Sequence, residues 1–225
     1  MSFDRLAPHY TWMEKVLAGS RLQRSRVAWL DALAGRENIL IVGVGHGHFL
    51  RSCAKRFPSA SITSVDASAG MLRHAEARSR RSGASMERLT FVHASVPEWR
   101  PPRGAFDAIV TNFFLDCFTP DELRAVIGVL AAGAKPGACW LLCDFAVPLH
   151  GIARQRAKII HALMYVFFRR VTRITARCVT APDSLLAAAG FTLEGRRTAE
   201  WGLLRSDLWL REIAPRHITA WIRSV

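Results

Sequence analysis

Residues 39–50 read "ILIVGVGHGHFL", an apolar run that ends at Gly43, Gly45 and Gly47 before apolar side chains resume at Phe49 and Leu50. A strand that enters a glycine turn and leaves as a helix suits nucleotide-type cofactors. Glycine lets a ligand approach the backbone, and the helix N-terminus offers free N–H groups. The spacing narrows the choice further. A dinucleotide fingerprint, G-x-G-x-x-G, needs a glycine at position 48, where His48 stands. The pattern present is G-x-G-x-G.

Beyond this turn, short β-rich runs alternate with helical patterns, the signature of βαβ units and a mainly parallel sheet. The strands are expected in "NILIVGV", "SITSVD", "LTFVHA", "FDAIVTNF" and "CWLLCDFAV", and the helices over 48–57, 68–82 and 120–132. Ser68 is a candidate cap, as is Thr119 with Pro120 first and Glu122 third in the helix. A helix in "APDSLLAAAG", with Pro182 at its first position, precedes two antiparallel strands, "FTLEGRRTAEW" and "LLRSDLWLREI". The expected organisation is one domain over 1–225. It comprises a helical cap (1–35, with Trp12, Val16 and Leu17 at helical spacing), a core (36–148), a basic amphipathic segment (149–180), and a C-terminal helix and hairpin (181–225).

Several motifs occur in a fixed order. "SITSVDASAGML" ends its strand in an acid, Asp66; "LTFVHASVPEW", "FDAIVTNFFLDCF" and "AKPGACWLLCDFAVP" follow. With the glycine turn, this series resembles the class I S-adenosylmethionine (SAM)-dependent methyltransferases. "FDRLAPHYTWME" and "DFAVP" look most similar to the ubiquinone/menaquinone C-methyltransferase branch and its small-molecule relatives. The resemblance implies a three-layer Rossmann-like α/β fold, with a mainly parallel seven-stranded sheet, an antiparallel C-terminal hairpin and an N-terminal helical cap. It implies SAM contacts from Gly43, Val44, Gly45 and Gly47, from Asp66 (ribose), Ala67 and Met71, from Ser95 and Val96 beside the adenine, from Asn112 and Phe113, and from Tyr10 of the cap.

Two positions depart from the family pattern. An acid usual two residues before the first glycine, which helps hold the cofactor's amino group, is Ile41 here. A charge-assisted bond of that kind is worth about 1.5–3 kcal/mol. Carbonyls near Gly43 and Asn112, or Asp116, are the candidate replacements. Ser95 stands where many relatives carry a second acid, and it accepts without charge. His46 and His48 form an H-x-H pair, but a helix N-terminus disfavours cationic rings and both are read as turn and helix residues. Asp116 and Asp144 resemble the acids of metal-dependent catechol methyltransferases, yet Phe145 follows where that class needs Asn, so no metal is expected.

Methyl transfer from a sulfonium is an in-line displacement in which the protein aligns the reactants and excludes water. At most one general base is needed, and Asp116, His150 and His161 are the candidates. The segment "GIARQRAKIIHALMYVFFRRVTRITAR" places Ile159, Ile160, Leu163, Met164, Phe167, Phe168 and Val171 at helical spacing between basic ends. It reads either as a lid over a hydrophobic substrate with flanks against anionic headgroups or as a helix packed on the core. The chain carries 31 Lys and Arg against 18 Asp and Glu, a net charge of +13, which favours anionic partners without choosing among them.

The expected activity is SAM-dependent methylation of a small, hydrophobic or aromatic molecule at oxygen, carbon or nitrogen. An RNA or tRNA methyltransferase is the alternative that the charge supports, although the apolar face is too continuous for a nucleic-acid groove. A non-catalytic SAM-fold binding protein is the alternative that Ile41 supports. The sequence does not fix the oligomeric state. Five cysteines (53, 117, 139, 143, 178) in unpaired pattern are expected as reduced structural thiols. "MSFDRLAPHY" lacks a signal peptide's basic flank and apolar centre, so the expected location is the cytoplasm, with peripheral membrane contact.

Overall fold

The computed structural model describes residues 19–172, 176 and 178–213. Tyr10, Trp12, Val16 and Leu17 lie outside the described residues. The first described helix, α1 (Gly19–Arg26), is followed by a 3₁₀ turn (Leu30–Leu33), then β1 (Asn38–Val42), α2 (His48–Arg56), β2 (Ser61–Asp66) and α3 (Ala69–Arg81). Next come β3 (Leu89–His93), β4 (Phe106–Asn112), a 3₁₀ turn (Leu115–Cys117), α4 (Pro120–Gly133) and β5 (Ala134–Phe145). The long helix α5 (Gly151–Thr172), α6 (Asp183–Ala188), β6 (Phe191–Ala199) and β7 (Leu204–Arg211) complete the order.

The seven strands form one sheet in the order β3-β2-β1-β4-β5-β7-β6. β1 to β5 are parallel, and β7 runs antiparallel to both β5 and β6. β1 is buried on both sides because its alternate residues feed two cores. Leu40 and Val42 pack with Leu123, Ile127 and Leu130 of α4, whereas Ile39 and Ile41 pack with Phe49, Leu50 and Cys53 of α2. The strand order reverses between β1 and β4, where crevices open at the carboxyl ends of such sheets.

The helix boundaries follow their caps. Ser68 Oγ accepts the Met71 N–H at 3.1 Å, which starts α3. Glu122 Oε2 accepts from both the N–H (2.9 Å) and the hydroxyl (2.8 Å) of Thr119 at the head of α4. Pro182 caps α6 from outside rather than occupying its first position, and α6 is correspondingly short. β5 begins at Ala134, directly after α4, so the strand takes in "AKPG" ahead of the expected "CWLLCDFAV". A register shift between Phe106 and Ala108 of β4 and the positive φ of Gly137 (74°) absorb the irregularity.

Residues 19–35 rest on the hairpin. Trp29 Nε1 donates to the Ser206 carbonyl at 2.9 Å, and Ser206 Oγ to the Ser25 carbonyl at 2.8 Å. A Cβ on Gly195 would lie 2.6 Å from the Trp29 ring, so this glycine is the seat of the indole. The cysteine thiols are free; Cys139 and Cys143 share a buried side of β5, and burial raises the Cys143 thiol to about 12. Among the described residues, no helix is long and apolar enough to cross a membrane.

Candidate functional site

The three glycines of the turn have three different reasons to be glycine. All adopt positive φ, at 70°, 53° and 75° for Gly43, Gly45 and Gly47. A Cβ on Gly43 would stand 2.7 Å from Phe114 Cδ2, and one on Gly47 would stand 2.7 Å from Ala75 Cα. These two glycines permit close packing of strand and helices. At Gly45 nothing lies within 4 Å, so its backbone faces open space at the carboxyl edge of the sheet. That is the approach a ligand needs.

Asp66, at the end of β2, is tied to the same turn. Its Oδ2 accepts the Gly45 N–H at 3.0 Å and its Oδ1 accepts the Ser68 N–H at 2.9 Å, which fixes the plane of the carboxylate. Arg78 of α3 holds the turn from behind, its Nε donating to the His46 carbonyl at 2.8 Å and its Nη1 lying 3.4 Å from His48 Nδ1. A guanidinium beside the imidazole works against a cation there. Among the described residues no group of three or more His, Cys, Asp or Glu side chains has metal-binding geometry. Val44, Met71 and Val96 are buried, Ala67 is half-buried, and Ser95 is exposed.

Ile41 is only 2% exposed and lies in the α2-side core, so the position where the family carries an acid is apolar packing in this chain. Across the switch point, Asn112 ends β4 and Phe113 adopts φ 52°, a backbone conformation that non-glycine residues enter at a cost. Its N–H donates to the Cys143 carbonyl at 2.7 Å, and its ring lies 5.0 Å from that of Phe145 and beneath the guanidinium of Arg26.

Asp116 and Asp144 meet at this end of the sheet. Both are buried, and the Asp116 N–H donates to Asp144 Oδ2 at 3.2 Å. Burial pushes the Asp116 carboxyl up to about 6, opposed by hydrogen bonds from Cys117 and Asp144. Burial, then the charge of Asp116, raises Asp144 well above the carboxylate range. Helix α5 covers the pair. Tyr165 Oη donates to the Asp116 carbonyl at 2.9 Å, and one turn earlier on the same face His161 is buried with its ring 5.7 Å from that of Phe145. Neither ring nitrogen of His161 has a hydrogen-bond partner among the described residues, and burial lowers its pKa to about 4, so the imidazole is neutral.

Of the three predicted bases, the fold therefore brings Asp116 and His161 to one place and leaves His150 exposed on the turn before α5. Sequence reasoning missed Tyr165 and treated Asp144 only as a metal ligand. The spacing of Ala157, His161 and Tyr165, one helical face, was the available signal. The apolar face expected for α5 is split: Met164 is buried, but Ile159 and Leu163 are 62% and 68% exposed. The side chains of Phe167, Phe168 and Val171 lie outside the described residues.

A doubly wound sheet with an open glycine turn and an acid at the next strand end suits a nucleotide-type cofactor. Residues 39–137 match the family described as methyltransferase domain. The chain is 32% identical over 143 residues to trans-aconitate 2-methyltransferase of Afipia carboxidovorans, covering 62% of this chain and 52% of that protein. It is 28% identical over 148 residues to the ubiquinone/menaquinone biosynthesis C-methyltransferase of Syntrophotalea carbinolica, covering 65% and 60%. It thus spans between half and two thirds of the length of these curated relatives. Its fold is shared with 1,6-didemethyltoxoflavin-N1-methyltransferase of Burkholderia thailandensis, solved with S-adenosylhomocysteine, at TM-score 0.64 and 20% identity over 92% of this chain and 88% of that one. Over this core the chain is similar to methyltransferases, and it shares its fold with SAM-dependent ones.

Proposed function

We infer that this chain transfers a methyl group from SAM to a small, hydrophobic or aromatic acceptor that gives up a proton, and that Asp116 takes that proton. The carrying observation is the buried Asp116–Asp144 pair beside the aromatic rings of Phe113 and Phe145. SAM supplies an electrophilic methyl on a sulfonium; the chain's own work is to align, to exclude water and to hold a proton. Gly45 and Asp66 fit the methionine and ribose parts. With Ile41 apolar and Asp116 assigned to the proton, the carbonyls near Gly43 and Asn112 are the groups left for the cofactor's amino end. His161, neutral and buried, suits hydrogen bonding to an uncharged acceptor better than proton abstraction.

The names of the two relatives point to different chemistry, trans-aconitate in one and ubiquinone/menaquinone biosynthesis in the other. An ionised Asp116 beside Asp144 repels an anionic acceptor, so the acid pair favours the uncharged class. The domain reading is one unit over 1–225, with α5 as the substrate-side segment, and the expected location is the cytoplasm. Radiolabelled SAM with the full chain and a panel of phenols, quinols, carboxylic acids and tRNA tests this. Transfer to phenol- or quinol-type acceptors supports the proposal. Failure to bind SAM in a thermal-shift assay, or transfer confined to tRNA or carboxylates, overturns it.

A further inference from the structure

Helix α5 has two long faces of different kinds. Ala157, His161, Met164 and Tyr165 are buried against the reaction centre. Ile152, Ile159, Leu163 and Val166 are 81%, 62%, 68% and 48% exposed. At about 100° per residue these two sets fall on opposite sides of the helix. Exposed aliphatic residues are ordinary when scattered, but a row of them on one helix face is not. Leu149, 78% exposed just before the helix, and Trp201, 71% exposed in the β6–β7 turn, add to the same region. The Arg156 guanidinium joins turn and helix, lying 5.7 Å from the Trp201 ring centre and donating to the Glu200 carbonyl at 3.2 Å.

The charges of this helix all have one sign. Half-buried Arg156 lies about 50° round the helix from the aliphatic row, exposed Lys158 and Arg154 lie further round on the opposite flank, about 110° and 150° from it, and residues 151–178 contain no acid. The nearby carboxylate of Glu200 is already paired with Arg21 at 2.8 Å. A second copy of the chain docked stripe to stripe would bring two such basic segments together, with Arg156 nearest the seam and no acid of the segment to answer them. An anionic bilayer answers them, takes the aliphatic row into its acyl boundary and suits an indole at the interface.

We propose that the outer face of α5, with Leu149 and Trp201, seats the protein on an anionic lipid surface, with the helix in the plane of the membrane. The inner face would keep its contacts with Asp116 while the outer face is covered. This reading stands apart from the choice of methyl acceptor, because vesicle binding is measured without SAM or substrate.

The test is co-sedimentation of the full chain with phosphatidylcholine vesicles made with and without phosphatidylglycerol, across a salt series. Ile159→Ser/Leu163→Ser and Arg154→Glu/Lys158→Glu are compared after thermal melts show that they fold, as these positions are exposed. The expected result is binding to the anionic vesicles only, weakened by salt, and reduced about tenfold or more by either pair of substitutions. No sedimentation, equal binding to neutral vesicles, or unchanged binding of the Ser variant overturns the proposal. A dimer in light scattering that the Ser variant dissolves also overturns it, by giving the face to a second copy.

Discussion

The backbone N–H of Asp116 donates to Oδ2 of Asp144 at 3.2 Å, which places two buried carboxylic acids, from the turn after β4 and the end of β5, in one small volume. Neither ionises as readily as a surface acid, because burial penalises the charge on each and the charge of Asp116 opposes that of Asp144. For Asp116 acting as a base, methyl transfer rises with pH through about 6, where its carboxyl ionises. Asp116→Asn should lower kcat about 100-fold or more while leaving SAM affinity within a few-fold, read by isotope transfer and calorimetry. An unchanged kcat would remove Asp116 from the chemistry.

Stability should respond to pH in the opposite sense to activity. A carboxyl whose folded pKa is raised binds a proton in the folded state that the unfolded chain has released, so between about pH 4 and 6 stability falls as pH rises. His161 works the other way. Its pKa falls to about 4 on folding, so the unfolded chain binds the extra proton and stability grows as pH rises from 4 towards the ordinary histidine value of 6.5. The two trends oppose within one window. His161→Gln should therefore steepen the fall of Tm with rising pH, and Asp144→Asn should flatten it. Melts at several pH values across this window give the comparison, and slopes identical to the parent in both variants would contradict the assignment.

The glycine turn separates packing from binding. Gly47→Ala meets Ala75 Cα at 2.7 Å as well as a positive φ, whereas Gly45→Ala meets only the φ. The first should cost several kcal/mol, and the second about 1–2 kcal/mol. Gly45→Ala should instead weaken SAM about tenfold or more, because its methyl enters the space the cofactor approaches. Thermal melts and titration calorimetry on both variants distinguish the two effects.

Ile41→Asp restores the family's residue and should fail to restore its function. The side chain is 2% exposed among Ile39, Phe49, Leu50 and other apolar groups, so a carboxylate there is buried without a partner. A loss of about 3 kcal/mol or more is expected, from lost packing and from desolvation, with no tightening of SAM. Denaturant titration and SAM calorimetry decide it.

The alternation of apolar strand and amphipathic helix was readable because each strand from β1 to β5 sits between two helical layers. The caps at Ser68 and Thr119 and the hairpin at the end were readable for the same local reasons. "AKPG" misled because Pro and Gly ordinarily break a strand, while here a register shift against β4 accommodates them. The acid pair was half legible. Asp116 and Asp144 lie 28 positions apart, and only the parallel pairing of β4 with β5 makes them neighbours. Tyr165 was missed because the apolar residues of α5 surround the helix, and their count says nothing about which of them face inward.

Tyr165 also fastens the helix that covers the acid pair. Its hydroxyl bond to the Asp116 carbonyl and its small cluster with Ala176 and Val179 fasten α5, whereas β1, β4 and β5 are embedded in two extensive cores. Local opening free energy follows such anchorage, so amide protons of α5 should exchange long before those of the sheet. Access to the buried acids then costs the release of one helix and leaves the cofactor crevice standing. For an acceptor that reaches Asp116 as proposed, the threshold for entry would thereby be uncoupled from the stability of the fold.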